Sequence, residues 1–164
     1  MTTILEKILK EKESYVNQLM QKKLPISKKD IIRSSLFELL YKNKQLQVIA
    51  EIKRASPSKG LIQGMVDPAH QALLYQKSGA ACISVLTDTP FFQGSFEDLM
   101  TVADTVDIPI LCKDFIIHEI QIDFAKSAGA SVILLIVAAL SKEKLKDLYA
   151  YAVSSGLGVL VEVH

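Results

Sequence analysis

Five apolar runs recur along this chain at nearly even spacing, and that rhythm leaves very few folds open to it. VIAEIKR (48–54), CISVLTD (82–88), PILCKDF (109–115), VILLIV (132–137) and LGVLVEVH (157–164) begin near residues 48, 82, 108, 132 and 158, at intervals of 34, 26, 24 and 26 residues. A strand–helix–strand unit needs about 30 residues. The runs are apolar at nearly every position, as strands covered on both faces are. Between them, residues 68–77, 96–104, 118–127 and 142–153 carry helical periodicity. Three of these segments finish at a glycine, Gly79, Gly129 or Gly156, the usual helix stop. One unit is copied along the chain, which predicts parallel strands joined by right-handed helical crossovers.

Two architectures satisfy that pattern, a doubly wound open sheet and a closed barrel. A doubly wound nucleotide fold carries a glycine-rich turn after its first strand. Here that strand runs into KRASPSKG, with neither G-x-G-x-x-G nor G-x-x-x-x-G-K-[ST]. The α/β class expected is therefore the (β/α)8 TIM-barrel type, its pattern ending after the fifth strand. Extra helices precede it. Ile4, Leu5, Ile8, Leu9, Tyr15, Val16, Leu19 and Met20 fall at helical spacing and predict an amphipathic helix over 3–22. Pro25 breaks it, Ser27 with Asp30 resembles a capping box, and a further helical stretch follows near 35–42. The expected division is a helical extension over 1–46 and a partial barrel over 47–164.

The composition narrows the function classes. At 164 residues with 49% hydrophobic content the chain suits one domain with ample core-forming material. No run approaches 18 apolar residues, so no membrane span is expected. The N-terminus is charged throughout and carries no apolar signal core. Cys82 and Cys112 both sit inside apolar strand patterns, which argues against a disulfide and for a reducing, cytoplasmic setting. The net charge is +1, but residues 1–47 hold ten Lys/Arg against five Asp/Glu. We read that excess as a solvated helix face; no nucleic-acid partner is expected.

In a barrel the active site lies at the C-terminal ends of the strands. Reading those ends gives Glu51, Lys53 and Arg54; Thr87 and Asp88; Lys113 and Asp114; Glu162 and His164. Glu51 and Lys53 are two apart and share one face, with Ile52 and Arg54 on the other. Charges of opposite sign inside an apolar strand demand partners. Each taken singly reads as a rim ion pair. Together, Glu51, Lys53, Lys113 and Glu162 read as proton donors beside acceptors. Asp88 and Asp114 read as loop or capping residues, Cys112 as a structural thiol, and His164 is given no role. The segment 55–64 offers Ser56, Ser58 and Lys59 to a phosphate or is a surface loop. Phe91 and Phe92 fall in a loop and either line a pocket or do not.

These residues identify a family. IAEIKRASPSKGLI, ISVLTDTPFFQGSFEDL, PILCKDFII and ILLIVAAL followed by LVEVH resemble the indole-3-glycerol phosphate synthases of tryptophan biosynthesis, in the family's order along the whole chain. The resemblance implies a lyase in a (β/α)8 barrel with extra N-terminal helices. It implies conversion of the sugar-phosphate 1-(2-carboxyphenylamino)-1-deoxyribulose 5-phosphate to indole-3-glycerol phosphate, with loss of CO2 and water and without metal or organic cofactor. By motif, Lys113 is implied as the general acid on the substrate ketone and Lys53 as holder of the anthranilate carboxylate. Glu51 and Glu162 are implied as acceptors, Glu162 being the base. Ser56 is implied as a phosphate contact, and Phe92, Phe115 and Leu134 as walls around the aromatic ring.

A full barrel takes about 250 residues, and its phosphate site follows strands seven and eight. A chain ending after strand five is thus expected to show little turnover as written. It is also expected to self-associate through the open edges of its first and last strands. Two other readings remain at this point. A sister sugar-phosphate barrel, phosphoribosylanthranilate isomerase, lacks the E-x-K…K-D-F lysines. A non-catalytic half-barrel module would stay silent when completed with the missing strands.

Overall fold

The computed structural model describes residues 2–28, 33–62 and 66–163. Asp30 of the expected capping motif, Gly64 at the end of the 55–64 segment and His164 lie outside the described residues. Two helices come first, α1 (Ile4–Leu19) and α2 (Leu36–Lys42). Then follow β1 (Ile49–Ile52), a small hairpin of β2 (Ala55–Ser56) and β3 (Gly60–Leu61), α3 (Pro68–Lys77) and β4 (Cys82–Leu86). The chain continues through α4 (Thr89–Phe92), α5 (Phe96–Ala103), β5 (Ile110–Lys113), α6 (Glu119–Ser127), β6 (Val132–Ile136), α7 (Lys142–Ser154) and β7 (Gly158–Glu162).

The main sheet has the order β1-β4-β5-β6-β7, and every pairing is parallel. Spatial order follows chain order without a reversal. A doubly wound sheet would reverse once to create its ligand crevice; a barrel winds in one direction, as this chain does. Among the described residues β1 and β7 are not paired with each other, so the five strands form an open arc of TIM-barrel type.

Local sequence explains the element ends. Thr3 and Glu6 form a reciprocal capping box at the start of α1, with Thr3 N donating to Glu6 Oε2 at 2.6 Å and Glu6 N to Thr3 Oγ1 at 3.2 Å. Asp67 caps α3 ahead of Pro68, which suits a first-turn position that needs no donor. At the far end of α6, Gly129 sits at φ +98°, and a Cβ there would lie 2.5 Å from the Ala103 Cβ. Both the backbone sign and the close approach of α5 exclude a side chain.

The sheet buries two layers. Ile83, Val85, Cys112, Ile133, Leu135 and Val159 face the helices and join Leu99, Ile122 and Leu148 in the main core. The alternate residues Cys82, Leu111, Val132, Leu134 and Ile136 face the arc's interior, where Leu36 of α2 packs among them. This two-sided burial is why the strands read as unbroken apolar runs.

The N-terminal segment straps the outside of the arc. Ser27 N donates to the Ser127 carbonyl at 3.0 Å, and Ser27 Oγ to Asp104 at 2.7 Å. Arg33 donates to the carbonyls of Ala103, Val106 and Gly129 at 2.6, 3.1 and 3.3 Å. These carbonyls sit at and just beyond the C-terminal ends of α5 and α6, where a cation is favoured by the helix dipole. Replacing Arg33 with alanine strands them, and a stability loss of about 2 kcal/mol is expected; urea unfolding of the two proteins checks it.

Candidate active site

Strand parity places the site. Residues two apart along a strand share a face, so Glu51 and Lys53 of the β1 end point inward with Ser84 and Leu86 of β4. Leu111 and Lys113 of β5, and Leu160 and Glu162 of β7, point the same way. At the C-terminal mouth of the arc these side chains meet. Lys53 Nζ lies 2.9 Å from Glu51 Oε1, and Lys113 Nζ lies 3.2 Å from Glu51 Oε2. One carboxylate thus holds an ammonium group on each oxygen. Glu162 lines the same cavity of about 310 Å³, together with Leu86, Phe92, Phe115, Ile136, Ala138 and Leu5 of α1. The rings of Phe92 and Phe115 stand 6.1 Å apart at 34° and wall one side.

A second cavity of about 660 Å³ adjoins it, sharing Leu5, Lys53, Phe92 and Phe115. Ser56, Ser58 and Lys59 line this one, so the serine–lysine cluster faces a cleft continuous with the charged mouth. The segment 55–64 is not a plain loop there: β2 and β3 pair antiparallel across a turn in which Gly60 takes φ +62° and Lys59 N donates to Ser56 Oγ at 3.2 Å. Leu134 is buried one layer deeper, in the interior cluster, and lines a cavity beneath Glu51 and Lys113 rather than the mouth itself.

Arg54 follows the opposite parity, as its place beside Lys53 requires. It turns outward to a bidentate pair with Asp98 of α5 and to the carbonyl of Gln93 at 3.2 Å. Phe91 and Phe92 sit in the one-turn helix α4 instead of a loop. Asp88 caps it by accepting from Phe91 N at 2.8 Å, Pro90 stands in its first turn, and Gln93 ends it in the left-handed region at φ 54°. Gly94 then passes so close to the strand that a Cβ would lie 2.0 Å from the Leu86 carbonyl oxygen. Of the two rings only Phe92 lines the cavities.

Burial by itself would raise the Glu51 carboxyl pKa, but the hydrogen bond from Lys53 and the charge of Lys113 outweigh it and hold the group below its usual value. A carboxyl depressed in this way adds stability above its unfolded pKa and loses it as pH falls through the folded one. The acid limb of a stability–pH curve is therefore expected to flatten in a Glu51→Gln variant, with both proteins followed by urea midpoint from neutral pH downward.

One group of charges was not foreseen. Lys12 of α1 is buried and pairs with Asp88 at 3.0 Å and with Asp114 at 2.6 Å. Thr87 Oγ1 donates to Asp114 at 2.7 Å, and Phe115 N donates to Asp114 at 2.7 Å. The only sequence signal was a lysine standing in the apolar stripe of α1 between Ile8 and Val16. Cys112 is buried beside this network, and burial together with the Asp114 charge pushes its thiol up to about 12. Cys82 is likewise buried, its thiol pushed to about 12 by desolvation. Among the described residues no group of three or more His, Cys, Asp or Glu is placed to hold a metal ion, and no helix is long and apolar enough to cross a membrane.

The mouth therefore offers two ammonium donors, two carboxylates and an aromatic wall, a set able to protonate one atom and deprotonate another on an anionic, ring-bearing ligand. Comparison with known proteins shows what the chain is similar to. A chain of Oceanobacillus iheyensis named indole-3-glycerol phosphate synthase is 54% identical over 162 residues, covering 99% of this chain and 62% of its own length. Counterparts of the same name from Bacillus cereus and Bacillus anthracis are 54% and 52% identical over 164 residues, each covering 100% of this chain and 63% of their own length. The chain thus spans less than two thirds of these relatives. The sequence model described as indole-3-glycerol phosphate synthase matches residues 5–164, and the chain belongs to that family.

Proposed function

We propose that the protein carrying this chain closes the indole ring of 1-(2-carboxyphenylamino)-1-deoxyribulose 5-phosphate, releasing one CO2 and one water per turnover. The observation that carries this reading is the shared Glu51 carboxylate, held by Lys53 and Lys113 beside the Phe92–Phe115 wall. Lys113 donates a proton to the substrate's ketone oxygen as the ring carbon bonds to the carbonyl carbon. The resulting iminium draws the electron pair of the departing carboxylate, so CO2 leaves without a metal. Rearomatisation then expels the hydroxyl group as water, which takes a proton from an ammonium group, and a ring proton passes to a carboxylate. Lys53 holds the anthranilate carboxylate, Glu162 is the base, and Glu51 keeps both lysines paired and aimed. Ser56 contacts the phosphate from the adjoining cleft, and Phe92, Phe115 and, from beneath, Leu134 shape the ring pocket. Two buried, unlinked thiols support a cytoplasmic setting.

The test joins this chain to the C-terminal portion of the Oceanobacillus iheyensis relative and supplies the substrate. Formation of indole-3-glycerol phosphate with one CO2 released per product is expected. A folded protein that releases no CO2 overturns the reading; an isomerase or a silent half-barrel gives that result. The 164-residue chain alone is expected to show little turnover. Its β1 and β7 outer edges further support self-association, and light scattering at rising concentration is expected to report a mass above that of one chain.

A further inference from the structure

Buried charges beside the proposed catalytic set invite a question about what they hold. Lys12 is the outstanding case. Its ammonium group stands between two loops that come from different strands. On one side Asp88 lies two residues beyond β4 and caps α4, whose last residue is Phe92. On the other, Asp114 follows Lys113 directly and takes the Phe115 amide. The Tyr15 ring covers the same ammonium at 4.9 Å. Four residues before Lys12 on the same helix, Ile8 lines the adjoining cleft, and Leu5 lines both cavities.

We propose that Lys12 is a positioning residue that fixes the spacing of the Phe92–Phe115 slot and the aim of Lys113, and that docking of α1 is thereby coupled to the shape of the pocket. The physical reason is convergence. A single cation neutralises two carboxylates that would otherwise repel each other across the gap between the loops. Each carboxylate in turn orders the backbone of one loop through an amide hydrogen bond. Loss of the cation leaves like charges facing each other, and the loops separate at the mouth while the sheet beneath stays paired.

For catalysis this rests on the proposed ring closure; for structure it does not, so the two are tested separately. Amide hydrogen exchange on the Lys12→Met chain is expected to accelerate at Phe91 and Phe115 by about tenfold relative to Ile83 and Ile133 in the strands. In the chain extended with the relative's C-terminal portion, kcat/KM is expected to fall by about tenfold or more. If Lys12→Met does not fold, Asp88→Asn replaces it. That change keeps the α4 cap acceptor and removes one ion pair, so exchange should rise at Phe91 and not at Phe115. Acceleration at Phe91 and Phe115 no greater than at Ile83 and Ile133, whose exchange follows the global loss of stability, or no change at either amide, overturns the proposal. An extended wild-type chain without turnover overturns the ring-closure reading instead, and leaves the exchange result to decide this one.

Discussion

Replacing Lys113 with methionine in the extended chain is expected to lower kcat by about 10²–10⁴-fold, the usual contribution of a positioned general acid. Lys113 is the last residue of β5, its side chain is about one-third exposed at 37%, and its Nζ meets Glu51 at 3.2 Å. Methionine keeps the length and apolar stem but has no proton to give, so in the proposed ring closure the ketone oxygen would develop charge unaided. Because the group is partly open to solvent, its loss should disturb the fold little, and the urea midpoint should stay near wild type. Lys53→Met offers the contrast. A residue that grips the substrate carboxylate in ground and transition states alike should raise KM more than it lowers kcat. Steady-state measurement of product formation separates the two, and a Lys113→Met kcat within about threefold of wild type removes the acid role.

The second large effect is on stability. Lys12→Met is expected to destabilise the chain by about 3–5 kcal/mol, because it leaves two buried carboxylates without their counter-ion. Replacing an exposed lysine changes stability by about 1 kcal/mol or less, so the two outcomes are well separated in a urea titration at neutral pH. Burial opposes the charge on Lys12, but Asp114 and Asp88 outweigh it and raise the ammonium pKa above its usual 10.5. A raised folded pKa means that the stabilisation is complete below the unfolded value and fades as pH climbs through the folded one. The gap between wild type and variant should therefore hold steady across neutral pH and narrow as pH climbs into strong alkali. A neutral-pH loss below about 1 kcal/mol would rule out a desolvated triad.

Much of the architecture was legible because strand and helix periodicities are strict. The run CISVLTD had to be a strand covered on both faces, and β4 spans Cys82–Leu86 with every residue buried. Parity was equally informative at the site. Two-residue spacing put Glu51 with Lys53 and turned Arg54 away, and the ion pairs follow that division. Depth was not legible. Leu134 shares the inward parity of Glu51, Lys53, Lys113 and Glu162 but is buried in the interior cluster, opposite Leu160 and two residues short of the Ile136–Glu162 pairing, and strand register, not its own sequence, decides that. Capping chemistry hid two short elements. Asp88 and Pro90 wind the TPFF stretch into a helical turn, and Gly60 folds SPSKG back into a hairpin, while both read as loops by composition. The buried triad was beyond reach for another reason. A lysine in an apolar stripe looks like a snorkelling surface residue until the acids that meet it, 76 and 102 positions away, are brought alongside by two successive crossovers.

The two thiols carry a practical corollary. With Cys82 and Cys112 both sealed in the interior and their ionisation pushed to about 12, almost no thiolate exists at physiological pH to meet an alkylating dye. A cysteine introduced at an exposed position such as Tyr41 would be the sole site to take a maleimide label. Distance reporters can thus be planted on this scaffold without first stripping out its native sulfur.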